Sequence, residues 1–136
     1  MAEIDTGTVV RYCKPSTLDE QGKPMGSSFQ LRIRTPTEKY LSVHLLDYFD
    51  KPSEIEKASA VKVAMQKQGF NFKENGVFTT LDIKQSQDYI NQLISEKISY
   101  KSLNLPHCGI FHEYDDLVIS ELLSQCVLNN YSINQL

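Results

Sequence analysis

The chain has 136 residues, 40% of them apolar and 23% charged, with a formal net charge of −3. Such a composition predicts a single globular domain over 1–136, large enough to bury its own core. The acidic balance weighs against non-specific nucleic-acid binding, and no apolar run is long enough to span a bilayer. The three cysteines, Cys13, Cys108 and Cys126, are odd in number and far apart. They form neither a disulfide framework nor a C-x-x-C pair, which predicts free thiols and a cytoplasmic protein.

Residues 1–7 are polar and acidic, without the basic and apolar regions of a signal peptide, and read as a frayed tail. Thr8 to Cys13 is rich in β-branched and aromatic residues and predicts a strand. Residues 14–27, with Pro15, Gly22, Pro24 and Gly26, predict a long surface loop. Ser28 to Thr35 alternates, with Phe29, Leu31 and Ile33 on one side and Ser28, Gln30, Arg32 and Arg34 on the other. That pattern predicts a half-buried strand ended by Pro36. Ser42 is placed to cap a short helix holding Val43, Leu45, Leu46 and Phe49.

Beyond Pro52, Ser53-Glu54-Ile55-Glu56 forms a capping box. It opens a helix with Ile55, Ala58, Val61 and Met65 as its buried stripe and Gly69 as a left-handed C-cap. Asn75-Gly76 signals a turn, and Val77 to Ile83 alternates as a strand. Ser86 to Lys97 predicts a helix buried through Tyr89, Ile90, Leu93 and Ile94. Short extended segments follow at Ile98–Leu103 and His107–Phe111. Asp115 or Asp116 caps the last helix, whose stripe is Ile119, Leu122, Leu123, Cys126 and Val127. Strands and helices mix without a regular βαβ alternation. The expected fold is therefore α+β, a small, largely antiparallel sheet with about four helices packed against it.

Chemistry-bearing residues concentrate between Pro106 and Asp116, where two histidines, a cysteine and three acids fall in one short segment. His107, His112 and Glu113 are the candidate acid/base residues. On a straight strand, however, positions 107 and 112 have opposite parity and face opposite ways. With no H-E-x-x-H and no second ligand cluster, neither a metal nor a cofactor is expected. Cys108 reads as a small buried residue and Cys126 as core. Arg11, Arg32 and Arg34 form a candidate anion-binding row, since guanidinium pairs with phosphate or carboxylate in bidentate fashion. The bland alternative is a solvated outer sheet face. His44 is a further candidate ligand residue. No G-x-S-x-G elbow surrounds Ser42, and no P-loop or dinucleotide fingerprint occurs.

Two functions fit these residues. One is a small cytosolic protein-binding or accessory module without catalysis of its own. The other is a small hydrolase or nuclease that uses histidine acid/base chemistry beside an arginine-lined phosphate site. The first implies another protein as partner; nucleic acid or a phosphate ligand is the less favoured partner, and a membrane is not expected.

Overall fold

The structure is a computed structural model that describes residues 1–32 and 38–136. Six strands form one sheet: β1 (Thr8–Cys13), β2 (Leu41–Leu45), β3 (Val77–Asp82), β4 (Ser99–Asn104), β5 (His107–Phe111) and β6 (Asn130–Ser132). Their order is β4-β5-β2-β1-β3-β6, and every pairing is antiparallel. Among the described residues there are three α-helices, α1 (Glu54–Lys67), α2 (Ile83–Ile94) and α3 (Asp116–Ser124). The class is α+β, as composition and pattern predict, with one helix fewer than expected. Among the described residues no helix is long and apolar enough to cross a membrane.

Side chains alternate along each strand, so the sheet has two faces. Val9, Leu81, Val43, Cys108, Ile110 and Tyr100 line one of them, under Ile83 and Ile90 of α2 and Ile119 and Leu123 of α3. On the other face Val10 and Phe78 pack against Ala58 and Val61 of α1. Because helices lie on both sides of β3, its residues Val77 to Leu81 are all buried, threonines included. The hydroxyls of Thr79 and Thr80 find partners at Asn130 and Asn129, so burying them leaves no orphaned group.

Helix α1 follows its local signals. Ser53 Oγ accepts the Glu56 N–H, and the hydroxyl donates to the Glu56 carboxylate at 3.0 Å. At the other end Gly69 has φ +90°. The Gly69 N–H bonds Gln66 C=O and the Phe70 N–H bonds Met65 C=O, a complete Schellman closure. The closure aims Phe70 back beside the sheet. Ile55 departs from the expected stripe and is exposed.

Several expectations are corrected. The predicted helix from Val43 is strand β2, since Leu41, Val43 and Leu45 alternate and both β1 and β5 are there to pair with it. Only Leu46–Tyr48 makes a single 3₁₀ turn. The predicted strand at Ser28 is a 3₁₀ turn, Gly26–Phe29, packed on α3. Ser28 and Phe29 are both buried there, the Ser28 hydroxyl donating to Thr17, so the period-2 alternation does not mark a sheet face. Gln30 to Arg32 is irregular, and Arg34 lies outside the described residues.

Residues 2–4 are tied to β4 rather than frayed: Glu3 pairs with Lys101, and the Ile4 N–H bonds Tyr100 C=O at 2.8 Å. The 14–27 loop is organised by the Leu18–Pro24 bridge and a 3₁₀ turn at Pro15–Thr17. Helix α2 starts earlier than predicted, capped by Asp82. Ser86 is buried against the Tyr100 hydroxyl, and Leu93 is exposed.

Candidate functional site

On the face that carries α1, the half of the sheet made by β2, β5 and β4 presents Ser42, His44, His107, Phe111 and Lys101, all half-buried. The register explains the grouping. His44 lies directly opposite His107, and Ser42 opposite Gly109, so all four share one face. The two imidazole rings are 5.3 Å apart and tilted by 31°. Ser42 Oγ and His107 Nε2 are hydrogen-bonded at 2.7 Å. Tyr40 crosses Gly109 and packs on Phe111, with ring centroids 5.3 Å apart. A Cβ at Gly109 would come within 2.9 Å of the Tyr40 ring, so glycine lets the aromatic lie flat on the backbone.

Burial, and then the neighbouring His107, push the His44 pKa down to about 4. Burial also lowers that of His107. Both rings are therefore neutral at pH 7, able to accept a proton or a hydrogen bond but carrying no charge. Ser42, His44 and His107 form one wall of a groove of about 340 Å³, and Met65, Gln68 and Phe70 at the end of α1 form the other.

A second cleft adjoins this groove. Strands β1 and β2 pair at Val9–Leu45 and Val10–His44. Beyond that point the Arg11 guanidinium links the two segments, donating from Nη1 to Ser42 C=O at 2.8 Å and from Nε to Ser28 C=O at 2.6 Å. Burial draws the Arg11 pKa below its ordinary value, but a guanidinium stays charged. The cleft has a volume of about 270 Å³ and is lined by Arg11, Lys14, Arg32 and Lys73, with Gln30 and Asn71 between them. None of the lining side chains among the described residues is acidic. Arg32 is exposed and pairs with Glu38 at 3.8 Å. Phe70 lines both clefts.

The predicted His107–His112–Glu113 centre is not assembled. His112 follows the end of β5, and its Nε2 is 3.1 Å from Asp116 Oδ1 on the first turn of α3. Together with Glu113 it borders a different cleft, shared with Lys39, Lys97 and Lys101. Asp115 is the α3 cap, accepting the Val118 N–H at 3.1 Å. Of the other predicted ligand residues, Arg11 and Arg32 share the cationic cleft, and His44 sits beside His107. The structure adds Ser42, Phe70, Lys14 and Lys73 to these candidates. Alternation across Leu41, Val43 and Leu45 was the signal that could have placed Ser42 and His44 together on a strand.

All three cysteines are free and buried. Burial raises the pKa of each, that of Cys126 to about 11. Among the described residues no three His, Cys, Asp or Glu side chains are grouped as a metal site would need. Comparison of the chain with protein-family models, with curated proteins and with solved structures finds no match.

Proposed function

We propose that this protein is a small cytosolic accessory module that binds its partner without transforming it, and that it holds that partner by a phosphate-type anion in the β1–β2 cleft. The observation that carries the reading is the gathering of Arg11, Lys14, Arg32 and Lys73 around one cleft in a chain whose net charge is −3. Glu38 meets Arg32 and acts on Arg11, while Lys14 and Lys73 form no ion pair among the described residues, so an anion in the cleft gains from charge that Glu38 does not cancel. Arg11 is already oriented by two backbone carbonyls, so binding costs little side-chain ordering there. Titration of the protein with inorganic pyrophosphate at low and high salt tests the reading. It requires saturable, salt-sensitive binding that Lys14→Ala, Arg32→Ala and Lys73→Ala each weaken. Absence of binding at low salt, or equal binding by all variants, removes it.

One observation favours a second reading, a small hydrolase. Ser42 Oγ lies 2.7 Å from a neutral His107, the geometry of a hydroxyl whose proton an imidazole can take. In this reading Ser42 and His107 replace the His107–His112 pair. A phosphonylating serine reagent would then label Ser42 stoichiometrically, and His107→Ala would abolish labelling. An unlabelled Ser42 in the folded protein rules it out.

A further inference from the structure

The two clefts meet at two places. Phe70 lines both. The peptide of Ser42 also lies between them: its carbonyl is bound by Arg11 from the cationic side, and its hydroxyl is bound by His107 on the groove side. A ligand whose anion lies in the cationic cleft reaches the groove past these two shared residues, Phe70 and Ser42. The groove has two kinds of wall. The sheet side offers the offset imidazoles of His44 and His107, and the α1 side offers Phe70. Ring walls of that kind hold flat, conjugated groups. Each wall also carries a polar group, Ser42 Oγ beside His107 on the sheet side and the Gln68 amide on the α1 side, able to donate and accept hydrogen bonds. At about 340 Å³ the groove falls within the range of small-molecule sites.

We infer that the ligand of this protein is a nucleotide, its phosphate in the cleft of Arg11, Lys14, Arg32 and Lys73 and its base in the groove between His44, His107 and Phe70. This inference rests on the anion-binding reading above and gives the anion an identity. A phosphopeptide would use the cationic cleft but has no planar conjugated group to place against the rings. A simple sugar phosphate lacks one too. The neutral state of both imidazoles suits the site, since an uncharged ring stacks on a base and reads its edge without needing a counter-charge. The fixed turn at Gly69 holds Phe70 in place at the junction before any ligand arrives.

The test is a set of calorimetric titrations with adenosine 5′-monophosphate, adenosine, inorganic phosphate, a phosphoserine peptide and a short single-stranded oligonucleotide. The mononucleotide should bind at least tenfold more tightly than adenosine or phosphate alone. His44→Ala should weaken the mononucleotide and adenosine about tenfold and leave phosphate unchanged, as loss of one stacking partner does. Lys73→Ala should weaken the mononucleotide and phosphate and leave adenosine unchanged. Phe70→Leu, at an exposed position and keeping an apolar contact for Tyr12 and Phe72, should repeat the His44 result if that variant does not fold. Tighter binding of the oligonucleotide than of the mononucleotide would place the same nucleotide chemistry within a strand. If phosphate binds but the mononucleotide gains nothing over it, or the phosphopeptide matches the mononucleotide, the inference fails while the anion reading stands. If phosphate, phosphopeptide and mononucleotide all fail to bind, both fall.

Discussion

Ser42 and His107 stand on neighbouring strands, far apart in sequence, with Oγ and Nε2 2.7 Å apart. Their contact is diagonal across the β2–β5 pair: Ser42 opposes Gly109, and His107 opposes His44. The arrangement leaves both imidazoles partly desolvated on a face that also carries Tyr40 and Phe111. It makes the β2–β5 pair the centre of the candidate site.

Desolvation of those imidazoles predicts acid lability. His44 titrates near pH 4 in the folded protein and near 6.5 when unfolded, so the unfolded chain binds the extra proton between those values. Stability should fall as pH drops from 6.5 towards 4 and level off in this respect below 4. His107, also lowered, acts in the same direction. The contribution of His44 is at most about 3.5 kcal/mol, from about 1.4 kcal/mol per pKa unit. Urea midpoints measured from pH 7 to 4 should decline less steeply in His44→Phe than in the native protein. Parallel curves would show that His44 is not the group responsible.

Gly109 should not accept a side chain. A Cβ there meets the Tyr40 ring at 2.9 Å near its base, where the side chain cannot swing aside, and the Phe111 ring at the same distance. Gly109→Ala should cost about 1–3 kcal/mol through overpacking, despite alanine's lower backbone entropy cost. Near-UV circular dichroism should register the displaced Tyr40. An unchanged melting temperature would mean that the ring does not lie over the strand.

Helix α3 offers a paired comparison. Leu123 is 1% exposed in the larger core, whereas Leu122 packs against it only in part. Leu123→Ala should cost about 2–5 kcal/mol, and Leu122→Ala clearly less. Equilibrium urea unfolding of the two variants gives both numbers, and equal losses would contradict the helix's rotational setting.

The thiols should be inert in the native state. Cys13, Cys108 and Cys126 are buried, and burial raises each pKa, so little thiolate is present at neutral pH. A disulfide thiol reagent at pH 7.5 should react slowly with the folded protein and with all three cysteines in urea. A fast stoichiometric phase without denaturant would point to a thiol outside this packing.

The elements legible in the sequence are those whose determinants are local. The Ser53 cap and the Gly69 closure bound α1 through hydrogen bonds that reach only a few residues along the chain. The Asp115 cap and the stripe through Ile119 and Leu123 place α3 in the same way. Where the pattern was short, period alone misled. The apolar residues Val43, Leu45, Leu46 and Phe49 suit a short helix capped by Ser42, yet the chain through Leu45 is strand β2 because β1 and β5 supply the partners. The alternation from Ser28 suits a strand, but Phe29 is buried against α3 in a 3₁₀ turn instead. The site depended on tertiary structure throughout. Cross-strand register put His44 against His107 and left His112 to Asp116. Chain path put Lys14 and Lys73 around Arg11. A sequence by itself sets which side chains alternate along a strand, but which alternating faces meet depends on non-local hydrogen bonding and shared burial, and those exist only once the sheet has formed.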